Sequence, residues 1–317
     1  MNKVNFALIG TGHIARTHIA ALNSLKNINL VGILSLSNYE KSVSLANQIG
    51  VDAYKSSQEL FNDERVNAVD IITRHDLHAK LGIQAAEYGK HVLVEKPIAT
   101  TLKEADQLIN ACKKNKVKLS VIFQNRFNDI YVNFKRNIDK GKFGKINLVV
   151  FSWIIHRDKS YFFENSSWRG NKKKSGGGFL MMNAIHYLDL LQWYFGPVHS
   201  IYGGISNIKH KIEVEDTAYA VIKFKNNSKG IIYGTTAAPV SLPPEMEFYG
   251  TRSIAKIKDN NYIINSERAF ARQIKDFVLS IINNKKPLVD GDEGRKSLEI
   301  VLSIYKSEKL KKEVFLN

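Results

Sequence analysis

Short apolar runs alternate with amphipathic segments over the first third of the chain. Runs such as "VNFALI", "AVDII" and "HVLV" have the length and continuity of buried strands, whereas "NYEKSVSLANQIG" and "TLKEADQLINACKKNKV" carry apolar residues along one face of a helix. Strands that alternate with helices of about ten residues or more are typical of a parallel sheet covered on both faces. We therefore predict a doubly wound α/β domain over residues 1–123.

The pattern changes after this first domain. "INLVVFSWIIH", "DTAYAVIKFKNNSKGIIYGTTAA" and "EMEFYG" predict strands and hairpins with short turns, and helices are predicted near 178–195, 268–284 and 292–312. This combination predicts a C-terminal α+β domain, built on a mainly antiparallel sheet, over residues 124–317. Because a broad sheet with one face bare of helices usually meets another copy of itself, we expect a homodimer or homotetramer formed through this sheet.

Composition restricts the possible partners and the location of the protein. The 317 residues include 46 basic and 30 acidic side chains, a formal net charge of +16. Such a charge suggests nucleic-acid binding, but the lysines are scattered and accompany many Asn and Ile residues. We therefore predict no nucleic-acid partner. An anionic small-molecule substrate remains compatible with the charge. No segment resembles a signal peptide or a membrane span, and the single cysteine, Cys112, fits a reducing compartment. We expect a cytoplasmic protein with no membrane partner and no metal site.

The first strand runs directly into the sequence "GTGHIA", a G-x-G-x-x-A pattern. Gly10 permits a tight turn, Gly12 lets the backbone approach a pyrophosphate, and the small Ala15 lets the following helix pack against the strand. The backbone N–H groups of the helix start, from His13 and Ile14, then face the anion. This arrangement predicts a Rossmann domain that binds NAD or NADP.

The choice between NAD and NADP stays open at this stage. An acidic residue usually holds the ribose 2′-hydroxyl of NAD at the end of the second strand, but this sequence has Ser35 there, followed by Leu36. Serine does not repel a 2′-phosphate, yet leucine cannot bind one. Lys41, one helical turn further on, could serve, although a solvated lysine is the simpler interpretation. We place Ser35 at the cofactor without choosing between the two forms.

Three polar clusters follow later strands of the first domain, in the segments "TRHDLH", "EKP" and "QNRF". Ligands of parallel sheets lie at the carboxyl ends of the strands. We accordingly assign Thr73, His78, Glu95 and Lys96 to cofactor binding, and Arg126 to substrate binding.

The stretch "SGGGFLMMNAIHYLDLLQWYFGPV" reads as a buried helix except for three polar residues and its opening glycines. The glycines at 176–178 let the backbone approach a ligand or adopt positive φ. Asn183, His186 and Asp189 are each three residues apart, so they lie near one another on the helix surface. A buried imidazole between an amide and a carboxylate has a fixed tautomer and suits a proton acceptor near neutral pH. The alternative is a core histidine satisfied by Asp189.

Upstream of this helix, the segment "HRDKSYFFENSSWRGNKKKSGGG" is too long and too aromatic for a plain connector. Tyr161 and Trp168 can stack on a base or a sugar ring, and Arg169 can bind a phosphate through two hydrogen bonds. The lysines at 172–174 are interpreted as a solvated charge run. We assign Tyr161, Trp168, Arg169 and, on the helix, Asn183 to substrate binding.

Several motifs in order resemble the Gfo/Idh/MocA (glucose–fructose oxidoreductase / inositol dehydrogenase) family over nearly the whole chain. They are "GKHVLVEKP", "QNRF", "WRG", "GGG…IHYLDLLQWYFGPV", "VEDTAYAVIKF" and "VDGDEGRKSLEIVLSIYKSEK". The central run is most similar to the branch that acts on nucleotide-linked sugars, the UDP-N-acetylglucosamine-type 3-dehydrogenases. The resemblance implies an NAD(P)-dependent oxidoreductase of a sugar secondary alcohol, with His186 as the catalytic histidine and Lys96 beside the nicotinamide and the substrate hydroxyl. An ammonium placed there can stabilise a developing alkoxide, and the Lys96–Pro97 peptide could be cis.

One position departs from the family pattern. Family members usually carry Asp or Asn four residues before the catalytic histidine, whereas this chain has Met182 there and an amide at Asn183. Two alternatives to a nucleotide-sugar dehydrogenase therefore stay open. One is a dehydrogenase of a free sugar or inositol, and the other is a non-catalytic nucleotide-binding sensor with the same fold.

Overall fold

The computed structural model describes residues 3–163, 168–260 and 262–316. The chain forms two compact units, Met1–Gln124 with Ser266–Arg295, and Asn125–Asn265 with Lys296–Asn317. The predicted division into residues 1–123 and 124–317 differs from this arrangement, because a late segment of the chain returns to the first unit.

The first unit contains a six-stranded, fully parallel sheet with the strand order β3-β2-β1-β4-β5-β6. Its strands are β1 (Val4–Ile9), β2 (Ile28–Leu34), β3 (Asp52–Tyr54), β4 (Ala68–Ile71), β5 (His91–Val94) and β6 (Leu119–Val121). This is the order of a Rossmann fold, in which ligands bind where the strand order reverses. The predicted doubly wound parallel sheet is confirmed.

The second unit contains a seven-stranded sheet with the order β12-β11-β7-β10-β9-β8-β13. Its strands are β7 (Ile146–Ile154), β8 (Val198–Ser206), β9 (Thr217–Phe224), β10 (Lys229–Thr235), β11 (Glu245–Gly250), β12 (Ile254–Lys258) and β13 (Val314–Phe315). Neighbouring strands are antiparallel except for the parallel pair β7 and β10. The β9–β10 hairpin turns at the predicted "NNSKG", where Asn227 has a φ of 71°. The mainly antiparallel sheet is confirmed, and β13 is an addition that the sequence pattern did not predict.

The helices of the described residues connect these strands. They are α1 (Ala15–Asn23), α2 (Tyr39–Ile49), α3 (Ser57–Asn62), α4 (His78–Glu87), α5 (Leu102–Lys114), α6 (Asp129–Asp139), α7 (Lys159–Phe163), α8 (Lys172–Ser175), α9 (Ile185–Phe195), α10 (Tyr262–Ile282) and α11 (Gly291–Leu310). Among the described residues, no helix combines the length and the apolar content needed to cross a bilayer.

Helix α10 explains why the second predicted domain is interrupted. Its apolar face contributes Phe270, Ile274, Phe277 and Val278 to the core under the parallel sheet, together with the buried side chains of β1 and α1. Gln273, on the same helix, closes the end of β6, since its amide donates to Val121 O at 2.7 Å and its carbonyl accepts from Phe123 N at 3.0 Å. The first unit is therefore complete only with a segment from far along the chain.

One face of the antiparallel sheet exposes large apolar side chains. Tyr202 on β8, Tyr219 and Val221 on β9, and Ile231 and Tyr233 on β10 are all exposed. They form cross-strand pairs, since Val221 lies opposite both Tyr202 and Ile231, and Tyr219 lies opposite Tyr233. The alternate residues of these strands are buried on the other face, as expected for the period of two in a strand.

Candidate active site

The two glycines of the G-x-G-x-x-A pattern, which follow β1, differ in what surrounds them. Gly10 has a φ of +125°, and a Cβ placed on it would lie 2.7 Å from Ile72 O. A Cβ on Gly12 would meet no atom within 4 Å. Helix α1 begins directly after Ile14, whose side chain makes no hydrogen bond to the first turn of the helix. Gly10 is thus required by the protein's own packing, whereas the backbone at Gly12 borders open space in front of a helix N-terminus, where an anion is stabilised.

Ser35 lies at the end of β2 beside this turn. Its hydroxyl accepts a hydrogen bond from the Thr11 hydroxyl at 3.0 Å, and its backbone N–H donates to Ser42 Oγ. The side chain is buried, and Lys41 is exposed. The structure therefore places Ser35 next to the glycine turn. A direct contact with the ribose stays a prediction, as do contacts from His13 and Ile14 at the start of α1.

The turn after β5 carries Lys96, and its geometry is tightly specified. The Lys96–Pro97 peptide is cis, in agreement with the expectation from sequence. Glu95 Oε2 accepts the Lys96 backbone N–H at 3.0 Å, and Glu95 Oε1 lies 3.3 Å from His18 Nε2. Burial alone would raise the pKa of Glu95, but the hydrogen bond and the charge of His18 bring it below its ordinary value. Glu95 is therefore an ionised carboxylate held inside the first unit.

His78 connects the ends of β4 and β5. Its Nδ1 lies 2.7 Å from Pro97 O and its Nε2 lies 3.0 Å from Thr73 O, and the side chain is fully buried. Burial lowers the pKa of His78 despite the two carbonyl oxygens. These contacts make His78 a brace between two strand ends, and its predicted contact with the cofactor, like that of Thr73, stays a prediction.

His186 lies on a helix that is buried over most of its length. Over residues 179–192 every side chain is buried except His186, which is partly exposed. The first turn of this helix, Leu180–Ala184, is a π-helix that continues directly into α9. Single π-helical turns are often found at functional sites. An imidazole that reaches solvent from a run of core residues is the arrangement expected of a group that meets a ligand.

The start of this π-helical turn is anchored by Glu215. Its two carboxylate oxygens accept the backbone N–H groups of Gly178 and Leu180 at 2.9 Å each, and Oε1 also accepts the Tyr305 hydroxyl at 2.8 Å. A Cβ on Gly178 would lie 1.8 Å from Glu215 O. Gly178 is thus needed for close approach to Glu215, whereas Gly176 has a positive φ of 76°, the alternative to ligand approach that the sequence analysis gave for these glycines. Burial raises the pKa of Glu215 even though these donors oppose the shift.

Asp189 has strong partners other than His186. Its two oxygens accept Nε and Nη2 of Arg126, at 2.7 Å each, and Oδ1 also accepts the Ser297 hydroxyl at 2.9 Å. Both members of this ion pair are buried, and the Arg126 guanidinium also lies 5.8 Å from the centroid of the Trp193 ring. This geometry gives Arg126 a structural role, so the predicted binding of substrate by Arg126 stays a prediction that these contacts do not favour.

A cluster of cationic and aromatic side chains contacts Met182, four residues before His186 in the sequence. The guanidinium carbons of Arg157 and Arg169 lie 4.4 and 4.9 Å from the centroid of the Tyr161 ring, and Arg169 also lies 5.0 Å from that of Trp168. The Tyr161 hydroxyl is 3.7 Å from Met182 Sδ. The ring of Tyr161 is therefore engaged by two cations instead of being open for stacking, and the cluster joins Met182 to two positive charges.

Arg157 has a further property within this cluster. Its Nε atom is buried and has no hydrogen-bond acceptor among the described residues. Buried donors are nearly always satisfied in folded proteins. Together with the neighbouring guanidinium of Arg169, this donor makes the cluster a candidate site for an anionic group such as a phosphate.

Two family models match the chain in sequence. Residues 4–123 match an oxidoreductase family with an NAD-binding Rossmann fold, and residues 131–256 match the GFO/IDH/MocA C-terminal domain. The two matches together span most of the chain and correspond to its two sheets. The chain belongs to the Gfo/Idh/MocA oxidoreductase family.

Solved structures and curated members of the family are similar over the full chain. The WlbA dehydrogenase from Bordetella pertussis, in complex with NADH and UDP-GlcNAcA, has a TM-score of 0.92 at 27% identity, covering 100% of this chain and 98% of that one. WlbA from Chromobacterium violaceum, also with NADH and UDP-GlcNAcA, has a TM-score of 0.91 at 26% identity, covering 100% and 97%. Myo-inositol 2-dehydrogenase of Thermotoga maritima is 24% identical over 99% of this chain and 98% of its own length. Gfo/Idh/MocA membership therefore supports an NAD-dependent dehydrogenase acting on CH–OH and leaves the substrate class open.

Several of the residues described above were not found from sequence. His18, Asp70, Arg157 and Glu215 had no predicted role. The sequence did contain an indication for Asp70, which is a charged residue inside the otherwise apolar strand "AVDII". A buried charge needs a partner, so this position could have been singled out. For Arg157 and Glu215, the partners are distant in sequence, so no local pattern pointed to them.

Proposed function

We propose that this protein is an NAD-dependent dehydrogenase that oxidises a secondary alcohol of a nucleotide-linked sugar. The observation that carries the proposal is the partly exposed His186 in a run of buried residues, on the helical segment whose Met182 contacts the tyrosine that two arginines flank. The imidazole supplies a proton acceptor near neutral pH, and the arginines supply positive charge for a substrate that carries phosphate.

The cofactor and three side chains have separate roles in the proposed reaction. NAD, when bound, would supply the two-electron acceptor for the hydride of the carbinol carbon. His186 accepts the proton of the same hydroxyl group, so that the alcohol becomes a carbonyl with charge and electrons balanced. The Lys96 ammonium donates a hydrogen bond to the reacting oxygen and stabilises the alkoxide as it forms. Asn183 provides an amide for a neighbouring hydroxyl group of the sugar.

We propose NAD rather than NADP because of the residues at the end of β2. Ser35 is uncharged, and no arginine follows it in sequence, so the chain offers no bidentate partner for a 2′-phosphate there. The two WlbA structures contain NADH, which supports the same choice.

The nucleotide-linked substrate is favoured by Arg157 and Arg169. Two guanidiniums that share one aromatic ring repel each other unless an anion lies between or beside them, and a diphosphate carries the matching charge. UDP-GlcNAcA, the ligand of both WlbA complexes, has both the diphosphate and a sugar with secondary hydroxyls. Free myo-inositol, the substrate implied by the name of the Thermotoga relative, carries no anionic group to pair with the two arginines.

The experiment compares two substrates in three variants. Arg157→Ala and Arg169→Ala should each raise KM for UDP-GlcNAcA by about 10- to 100-fold, because a charge-assisted hydrogen bond is worth about 1.5–3 kcal/mol. They should leave any oxidation of myo-inositol unchanged. Lys173→Ala, which removes an exposed cation from the same segment, is the matched control and should have the KM of the parent. Equal impairment on both substrates would favour the inositol dehydrogenase, and a parent without turnover on either would favour the sensor.

We also propose that two copies meet through the exposed face of the antiparallel sheet. The exposed apolar pairs on β8, β9 and β10 support this, since a contiguous apolar face on a soluble protein usually marks an interface. Tyr233→Lys should lower the mass measured by analytical ultracentrifugation, whereas Tyr88→Lys, which changes an exposed tyrosine of the first unit, should not. Identical masses for the parent and Tyr233→Lys would contradict this interface.

A further inference from the structure

Three side chains from different elements of the first unit meet in its interior. His18 projects from α1, Asp70 lies in the middle of β4, and Glu95 follows β5. The Nδ1 atom of His18 lies 2.7 Å from Asp70 Oδ2, and Nε2 lies 3.3 Å from Glu95 Oε1. The side chains of His18 and Asp70 are completely buried. The proposed chemistry uses none of these three directly.

This geometry determines the charge of His18. A neutral imidazole carries one N–H, so its second nitrogen would point a lone pair at a carboxylate oxygen. Only the imidazolium donates to both carboxylates at once. Burial alone would lower the pKa of His18, but the charge of Asp70 and the hydrogen bonds of both carboxylates raise it to about 10.

The groups around His18 are few. The titratable groups that face it among the described residues are Asp70 from β4 and Glu95 from the end of β5. From α10 it meets the ring of Phe270, with the centroids 4.9 Å apart. His18 is therefore a cation enclosed by two anions and an aromatic ring, with no contact to bulk solvent.

The contacts of Glu95 lead from this cluster to Lys96. One oxygen of Glu95 faces His18 and the other accepts the backbone N–H of Lys96 at 3.0 Å. On the far side of Lys96, Pro97 O faces Nδ1 of His78. The short turn that carries the Lys96 ammonium is thus held from both sides by buried imidazoles, and the orientation of Glu95 depends on His18.

We propose that His18 is a positioning residue for Lys96, acting as an imidazolium that fixes the Glu95 carboxylate and, through it, the backbone of the Lys96 turn. The inference rests on the proposed dehydrogenase function, because the position of Lys96 matters only if Lys96 meets the reacting oxygen. Asp70 keeps the imidazole charged and in place. Small displacements of a reacting group reduce turnover strongly, by as much as about 100-fold for 1 Å.

A double-mutant cycle tests the coupling between His18 and Glu95. His18→Gln and Glu95→Gln should each lower kcat for UDP-GlcNAcA oxidation by about 10- to 100-fold, and His18→Gln should keep KM and the Kd for NADH within about threefold of the parent. If His18 acts through Glu95, the double variant should have the kcat of the more impaired single variant. Multiplicative losses, or an unchanged kcat in His18→Gln, would overturn the proposal.

A control separates positioning from general destabilisation. Lys90 is another buried cation of the first unit, and its Nζ donates to Asp63 O and Val66 O at 2.9 and 2.8 Å. Lys90→Met should lower the melting temperature and leave kcat unchanged. A loss of kcat in Lys90→Met as large as that in His18→Gln would assign the effect to stability and refute the positioning role.

If His18→Gln does not fold, the more conservative variant Asp70→Asn still tests the role of His18. Asp70→Asn preserves the shape of the side chain and removes one anion, so the imidazole should lose its proton at a lower pH. The kcat of Asp70→Asn should therefore decline at a lower pH than the kcat of the parent. A profile that superimposes on the parent's would overturn the proposal.

The imidazole nitrogens of His18 provide a readout that needs no turnover. Their ¹⁵N chemical shifts at pH 8, assigned by comparison with His18→Gln, should show both nitrogens protonated. A parent that oxidised no sugar would refute the proposed function. The ¹⁵N shifts would then test the inference about His18 separately. An imidazolium would support it, and a neutral imidazole would overturn it.

Discussion

The glycine turn after β1 allows cofactor binding to be separated from folding by two substitutions two residues apart. At Gly12, a Cβ meets nothing within 4 Å and the backbone needs no positive φ. Gly12→Val should therefore change the free energy of unfolding by no more than about 0.5 kcal/mol, as is usual for exposed sites. The new side chain occupies the space in front of α1 that a pyrophosphate needs.

The size of the effect on NADH follows from the contacts it prevents. A backbone N–H that donates to a charged phosphate oxygen is worth about 1.5–3 kcal/mol, which is about 10- to 100-fold in Kd for each one lost. We expect Gly12→Val to weaken NADH binding by at least that factor in a fluorescence titration. Because a bound ligand raises apparent stability by mass action, NADH should also shift the melting temperature of the parent and not that of the variant.

Gly10→Ala is the matched control. Here φ is +125° and the Cβ would lie 2.7 Å from Ile72 O, so the strain of the backbone alone costs about 1–3 kcal/mol. This variant should melt several degrees below the parent, at about 2–4 °C for each kcal/mol. The reasoning is refuted if Gly12→Val binds NADH within twofold of the parent, or if Gly12→Val is destabilised as much as Gly10→Ala.

Three further predictions concern the remaining site residues. His186→Asn and Lys96→Met should each lower turnover by about 100-fold or more in single-turnover measurements while keeping the Kd for NADH, and full activity in either would move its role elsewhere. If Asn183 compensates for the missing acid, Asn183→Ala should lower kcat clearly more than Met182→Ala, and equal effects would sink that idea. The pKa of His18 is raised from its ordinary value of 6.5 to about 10, so the stability that the imidazolium contributes is complete below pH 6.5 and is lost as the pH rises toward 10. Denaturant titrations should show the parent losing stability over that range relative to His18→Gln. Parallel curves of stability against pH for the two proteins would contradict the charge assigned to His18.

The sequence predicted the two sheets well because each has a strong periodic signal. Continuous apolar strands separated by helices indicated the parallel sheet, and strand segments joined by short turns indicated the antiparallel sheet. The return of Ser266–Arg295 to the first unit was not predictable. An amphipathic helix such as α10 shows that it has a partner surface, but its sequence does not say which one.

The site was predicted less completely, for reasons that particular residues illustrate. Spacing placed His186 and Asp189 on one helix face, yet Asp189 binds Arg126 and Ser297, which lie far away in sequence. The π-helical turn at Leu180–Ala184 changes the angle between successive residues, so counting four residues back to Met182 does not place that side chain as an α-helix would. The roles of Lys96 and His186 stay predictions that the proposed experiments decide.

The late entry of α10 into the first unit has a consequence for how this protein is made. A nascent chain that has released only residues 1–124 carries all six strands of the parallel sheet but lacks Phe270, Ile274, Phe277 and Val278. One wall of its hydrophobic core is then missing, and apolar surface stays exposed until the ribosome has synthesised the chain past residue 282, where α10 ends. We expect the dinucleotide-binding unit, although first in sequence, to finish folding only after most of the second sheet has emerged, so that the growing chain exposes apolar surface of the kind that chaperones bind.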